Sequence, residues 1–285
     1  MNLADITILS NGPVLELIEW LQGQNCLASP LRCVPCNRGS APSAEGKNLC
    51  ALVVSSENFH EFRWESFCFV YISGTPRELR TTVARMLSLT NNTVGNIYTL
   101  LRHYYGRDLQ DRPIVPFGGR VYVVKCDESQ FKHKSKHNRG RRARDDVWVF
   151  GVLSTEHSPC RGYFQVVHSR DRATLTQILQ RVLLPGSEVH SDHWGAYRNL
   201  VHHVPNVAVH RTVVHRANFV DPLTGIHTQE IESAWSRLKY YIKREKGIRA
   251  LDLQDFLNEE MWRQWRGLDS VFQNVITLIS RYHQF

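Results

Sequence analysis

The sequence predicts an α/β protein: a mixed five-stranded sheet with helices on both faces, preceded by a smaller, mostly helical N-terminal region. Three observations carry this. From about residue 120, short runs rich in Val, Tyr, Phe and Trp alternate with segments of helical apolar spacing. Between residues 77 and 105 the apolar spacing is helical alone. The chain has 285 residues and is 42% hydrophobic. That composition supplies a core for one large domain or two modest ones and excludes wholesale disorder.

In chain order, "GPVLELIEWL" (12–21) reads as a short amphipathic helix entered at Pro13. Residues 22–75 are irregular and cysteine-bearing, with "RGSAPSAEGKN" as loop. "RELRTTVARMLSL" and "TVGNIYTLLRHYY" are helical, and "TNN" between them is a turn or cap. Val83, Ala84 and Leu87 would meet Val94, Ile97 and Leu101, a helix-turn-helix spacing or an ordinary helical hairpin. Gly95 inside the second helix costs about 1 kcal/mol in propensity. "DLQDRPIVPFGG" (108–119) reads as a linker.

Strands are expected at "RVYVVKCD" (120–127), "VWVFGVLS" (147–154), "GYFQVVHS" (162–169), "SEVHSD" (187–192) and "VAVHRTVV" (207–214). Helices are expected at "RATLTQILQRVLL" (172–184), "WGAYRNL" (194–200), from Thr228 onward, and around 251–265 and 268–282. Three strands, helix, strand, helix, strand, helix is the order of a ribonuclease H-like fold, though other α/β domains share it.

Lys and Arg exceed Asp and Glu, 35 against 27, for a net charge of +8. That excess favours a polyanionic partner such as nucleic acid. The cysteine count is odd, at seven, and the N-terminal "MNLADITILS" has neither a basic leader nor a long apolar core. No segment has the ~20 apolar residues of a membrane span, so no membrane partner is expected. The expectation is a reducing, intracellular setting with cysteines free or metal-bound.

Three acids stand where chemistry is expected. Asp127 ends the first predicted strand and is followed by Glu128, Asp192 ends the fourth, and Glu232 lies in the first turn of the helix after the fifth. Neighbouring first and fourth strands would bring out Asp127 and Asp192 side by side, and the last helix would lower Glu232 between them. Carboxylates from three elements suit Mg²⁺ or Mn²⁺, and two such ions about 4 Å apart clamp a phosphodiester in in-line displacement. Within "GIHTQEIESAWSRLK", Ile231, Trp235, Leu238 and Ile242 form the apolar stripe and Thr228 is a candidate N-cap. Glu232, Ser236, Lys239 and Lys243 share a polar face, which on spacing alone is a solvated one.

The segments "GGRVYVVKCDES", "KHKSKHNRGRR", "VWVFGV", "RDRATLTQIL", "LPGSEVHSDHWGAYRNL" and "VVHRANFVDPLTGIHTQEIESAWSRLK" resemble the catalytic domain of Merlin-type DDE transposases. The same domain occurs in related bacterial insertion-sequence transposases. The resemblance runs from about 118 to 265. It places the acidic triad on Asp127, Asp192 and Glu232, leaving Glu230 as first-turn charge. It implies Mg²⁺- or Mn²⁺-dependent cleavage of transposon ends and joining of the 3′ hydroxyl to target DNA. It also implies double-stranded DNA as partner and a homo-oligomer. The expected domains are then 1–75 (degenerate zinc ribbon), 76–107 (helix-turn-helix), 118–265 (catalytic) and 266–285 (C-terminal helix).

The run "KHKSKHNRGRRAR" (132–144) holds seven Lys or Arg in thirteen residues. Lys132, Lys134, Lys136, Arg139 and Arg141, with Lys239 and Lys243 on the helix, are candidate DNA contacts; a solvated loop is the plain alternative. His215 and His227 fall within the resembling segments and are candidates for orienting substrate or a carboxylate. Cys33 and Cys36 form one CxxC knuckle, and the second knuckle expected of relatives offers only Cys68, so these three are the candidate zinc ligands. The location expected is nuclear in a eukaryote and the cytoplasmic nucleoid in a bacterium. A metal-dependent nuclease without strand transfer, or a catalytically retired, host-adopted DNA-binding protein, would carry much the same sequence.

Overall fold

The computed structural model describes residues 32–33, 38–39, 79–86, 89–131, 147–213, 227–267 and 271–282. Two compact units divide the chain: residues 1–104 with 266–285, and residues 105–265. The division falls within a helix.

In the first unit a two-residue antiparallel pair joins β1 (Arg32–Cys33) to β2 (Arg38–Gly39). Helix α1 spans Arg80–Met86 and α2 spans Asn91–Asp111. Thr90 caps α2, its Oγ1 accepting the Thr93 N–H at 3.1 Å. Val83, Ala84, Val94, Ile97 and Leu101 are buried as the spacing predicts. A Cβ at Gly95 would lie 3.1 Å from a guanidinium nitrogen of the exposed Arg80, a side-chain end that can move aside. Helix α7 (Val271–Tyr282) buries Val275, Ile276, Leu278 and Ile279, and its Tyr282 ring stacks on Tyr104 at 6.4 Å.

The second unit holds the sheet. Its strands are β4 (Val123–Phe131), β5 (Val147–Ser154), β6 (Arg161–Val167), β8 (Ser187–Asp192) and β9 (Val207–Val213). Their spatial order is β6-β5-β4-β8-β9, with β4 antiparallel to β5, β5 antiparallel to β6, and β8 parallel to both β4 and β9. This is the mixed ribonuclease H-like sheet. A short parallel pair, β3 (Phe117–Gly118) with β7 (Leu183–Leu184), lies outside it.

Helices cover both faces because both faces of the strands are apolar. On one face α3 (Arg172–Val182) packs Leu175, Ile178, Leu179 and Val182 on Val124, Cys126, Phe150 and Val152. Asp171 caps α3, accepting the Thr174 N–H at 2.8 Å. On the other face α5 (Gln229–Arg244) and α6 (Leu253–Arg266) pack Ile231, Ala234, Trp235, Leu238, Phe256 and Leu257 on Val149, Leu153 and Phe164. Each large apolar side chain buried this way contributes about 1.5–3 kcal/mol. Ile242, the last of the expected stripe, is partly buried against the same cluster.

Several boundaries differ from expectation. The first sheet strand runs through Phe131, paired with Val147, so Asp127 lies mid-strand rather than at its end. The expected linker opens as the last turn of α2, because Asp108 is fully buried and accepts Trp262 Nε1 at 2.9 Å; it closes as β3. The expected helix at 194–200 is a 3₁₀ turn (Gly195–Tyr197) and a separate short α4 (Leu200–His203), split by Asn199 at φ +60°. The helix predicted to 184 stops at Val182, where β7 begins.

Candidate active site

The parallel ladder of β4 and β8 pairs Val123 with Glu188, Val124 with Val189 and Lys125 with His190. Two residues beyond the last pair, each strand carries an aspartate: Asp127 on β4 and Asp192 on β8. They occupy equivalent positions on neighbouring strands. Asp192 Oδ1 accepts the backbone N–H of Trp194 at 3.0 Å.

Side chains alternate along β4, so Lys125, Asp127 and Ser129 share the face that meets α5. The contacts proceed in step. Lys125 Nζ bonds Glu230, Trp235 Nε1 donates to Asp127 Oδ2 at 2.9 Å, and Lys239 Nζ donates to Ser129 Oγ at 2.6 Å. Helix α5 therefore lies along β4. Glu232 is seven residues, two turns or about 11 Å, before Lys239 on the same helix flank. About three strand residues cover that distance, which sets Glu232 level with the Cys126–Asp127 segment. Thr228 Oγ1 donates to Glu232 Oε1 at 3.4 Å, so this N-cap residue serves the carboxylate instead of a backbone N–H.

Gly151 makes the approach of α5 possible. It pairs with Asp127 across β4 and β5, and a Cβ there would sit 2.6 Å from Trp235 Cη2. The indole occupies that space, between Phe131 and Phe164, and presents its N–H to Asp127.

The opposite face of β4 is electrostatically loaded. Glu128 accepts a hydrogen bond from the fully buried Tyr197 hydroxyl. Burial raises the Glu128 carboxyl to about 7, with the Asp127 and Asp192 charges adding to the rise and the Tyr197 bond and Arg170 opposing it. Burial likewise pushes the Cys126 thiol up, with Glu128, Asp127 and Asp192 adding. The Asp127 and Asp192 charges are thus felt at Glu128 and Cys126 across the strand. Like charge so placed is what a divalent cation relieves, and hard oxygen donors are what Mg²⁺ and Mn²⁺ accept. Among the described residues, no three His, Cys, Asp or Glu side chains are already gathered around a common metal position. Asp127 and Asp192 offer the oxygen donors such an ion takes, while Glu232 lies on α5 and is not gathered with them.

Residues 116–264, more than half of the chain, match the ISXO2-like transposase domain. The chain belongs to this transposase family. No curated protein matches it in sequence. Among solved structures it is similar to a simian T-cell lymphotropic virus intasome, at 12% identity and TM-score 0.35, over 69% of this chain and 67% of that one. It is similar to the HTLV-2 integrase catalytic core, solved with magnesium, at 13% identity and TM-score 0.31, over 52% of this chain and 87% of that one. The Mos1 strand transfer complex gives 12% identity and TM-score 0.30, over 76% and 78%.

Within this transposase domain, Glu230 does more than offset a helix dipole. It is the counter-ion of Lys125, whose side chain is only 5% exposed, and it also meets His227 Nδ1 at 3.2 Å. Burial pushes the Glu230 carboxyl up, but the Lys125 bond and charge outweigh it and hold the group below the usual range. His227 faces this pair, with Lys125 Nζ 3.1 Å from its Nδ1. Lys239 is bound to Ser129 and lies over the Phe131 ring, while Lys243 is exposed. The basic candidates Lys132, Lys134, Lys136, Arg139 and Arg141, together with His215, Cys36 and Cys68, lie outside the described residues; Cys33 is described only as a residue of β1. Sequence reading gave no role to Lys125 or Tyr197, and took Glu128 only as the neighbour of Asp127 and Trp235 only as part of the apolar stripe. The available signal was a charged residue inside an apolar strand, which requires a buried partner. No described helix is long and apolar enough to cross a membrane.

Proposed function

We propose that this transposase cuts the ends of its element and joins the freed 3′ hydroxyl to target DNA, with Asp127, Asp192 and Glu232 as the metal-holding acids. The observation that carries this is the placement of Asp127 and Asp192 at equivalent positions on adjacent parallel strands. Two bound Mg²⁺ or Mn²⁺ ions supply Lewis-acid stabilisation for in-line displacement at phosphorus. The chain's own residues orient the site. Trp235 Nε1 fixes Asp127, the Trp194 N–H fixes Asp192, and Thr228 Oγ1 holds Glu232. Glu128, titrating near 7, keeps a proton at its carboxyl through part of the neutral range and limits the negative charge beside Asp127.

The finer reading is a Merlin-type element. Its substrate is double-stranded DNA, and two ends are paired by a homo-oligomer. Residues 76–107 act as the helix-turn-helix, and the region of Cys33, Cys36 and Cys68 is a degenerate zinc ribbon. Lys243 and the 132–144 run supply phosphate contacts.

The test follows a labelled 3′ end of a duplex carrying the element's terminus, incubated with Mg²⁺ or Mn²⁺ and a supercoiled target. Label joined to target DNA is expected. Release of cut DNA without joining would replace the reading by a nuclease. Binding without cutting under either metal would replace it by a retired DNA-binding protein.

A further inference from the structure

Among the described tryptophans, Trp148, Trp235, Trp262 and Trp265 are buried or half-buried, whereas Trp194 is 43% exposed. An exposed indole leaves one of the largest apolar surfaces in water. Trp194 is nonetheless held in place. Its backbone N–H bonds Asp192 Oδ1 at 3.0 Å, and its Nε1 donates to the Arg170 carbonyl at 3.3 Å. The ring is fixed relative to one of the proposed metal-holding acids.

Arg170 completes the arrangement. Its guanidinium lies 3.6 Å from the Trp148 ring centroid and 4.8 Å from that of Trp194. Its carbonyl accepts from Trp194 Nε1, and the Trp194 backbone N–H bonds Asp192, which sets Arg170 one residue from that acid. No ion pair to a carboxylate holds it among the described residues. A guanidinium stacked on aromatic faces keeps its N–H edge for hydrogen bonds, and that edge suits phosphate.

We propose that Trp194 and Arg170 form a platform for an unpaired nucleotide at the strand end beside Asp192, the indole stacking on the base and the guanidinium taking its phosphate. Every base has a π face, so the platform is tolerant of sequence. It would stabilise a base taken out of the duplex stack, which opens the backbone next to it. The ligand is a nucleic acid because the platform adjoins acids suited to phosphodiester chemistry and joins a cation to an aromatic surface. The inference rests on the DNA-processing reading of Asp127 and Asp192.

The experiment measures binding of the full chain in EDTA, so that no cutting occurs, by anisotropy of three labelled DNAs. These are a blunt duplex, the same duplex with a short unpaired extension, and that extension made abasic. The natural protein is expected to prefer the base-bearing extension over the blunt duplex by about tenfold, and to lose most of that preference when the extension is abasic. Trp194→Ala should bring the ratio close to one, and Trp194→Phe should keep most of it. Arg170→Ala should weaken binding of both extensions, since phosphate is common to both. A ratio unchanged in Trp194→Ala, or unchanged by the abasic extension, overturns the proposal. So does a Trp194→Ala protein whose oligomeric state changes while its ratio does not, which would assign the face to a second copy of the chain. A natural protein that never cuts DNA but shows the Trp194-dependent preference overturns the catalytic reading instead, and leaves the platform standing.

Discussion

Glu128→Gln is the substitution whose effect the structure sets most sharply. The carboxyl sits against the buried Tyr197 hydroxyl and feels Asp127 and Asp192, so it titrates near 7 instead of the ordinary 4.5. Between those two values the folded protein holds a proton that the unfolded chain has released. Stability from this group is therefore complete below about pH 4.5 and is lost as pH rises through about 7. The full difference corresponds to about 3 kcal/mol. Glutamine keeps an oxygen to accept from Tyr197 and carries no charge at any pH. The variant should match the natural protein to within a constant offset near pH 4.5 and gain on it by up to about 3 kcal/mol by pH 8. Denaturant unfolding of both proteins across that range measures the difference, and acids that do not interact with Glu128 titrate alike in both and cancel. A divalent cation held by Asp127 and Asp192 should lower the folded Glu128 value, so that the gap between the two curves stops growing at a lower pH and stays smaller. A difference that stays flat from pH 4.5 to 8 would refute the reasoning, because it would mean that Glu128 is already ionised in acid.

Three further substitutions test the contact between α5 and β4. Gly151→Ala puts a methyl 2.6 Å from Trp235 Cη2 and should cost about 1–3 kcal/mol in denaturant unfolding, with reduced cleavage as the indole shifts. Trp235→Phe keeps an aromatic ring against Phe131 and Phe164 but removes the N–H bound to Asp127; it should cost about 1 kcal/mol and slow DNA cutting at least tenfold. Lys125→Met strips Glu230 of its counter-ion and should destabilise by about 2 kcal/mol, softened because Glu230 is 31% exposed. The Lys125–Glu230 contribution should also fade in acid. The depressed Glu230 carboxyl gives stability present above its unfolded value and lost as pH falls through its folded one, a loss that Lys125→Met should lack.

The sheet was largely legible in the sequence because apolar runs end at strong punctuation. "VWVFGVLS" and "SEVHSD" are strands to the residue. The first sheet strand was displaced. Gly118 and Gly119, both at positive φ, shape a turn that delays its start to Val123, and the polar "ESQ" that resembled its end is carried to Phe131 by pairing with β5. The acidic pair was readable from strand order alone. What lies around it was not. The Tyr197 partner of Glu128 is 69 positions away, and the Glu230 partner of Lys125 is 105 away. Only the folded β4–α5 contact and the 3₁₀ turn after β8 join them. Glu230 and Glu232 look alike as first-turn acids, yet one neutralises a buried lysine while the other flanks the Asp127 segment.

The most direct test of the acid assignment is cleavage of end-containing DNA in Mg²⁺ and in Mn²⁺ by the natural protein and by Asp127→Asn, Asp192→Asn and Glu232→Gln. Each variant should bind the DNA as the natural protein does and fail to cut it. Glu232→Gln cutting at the natural rate, or a natural protein that binds its own ends and never cuts them with either metal, would contradict the account.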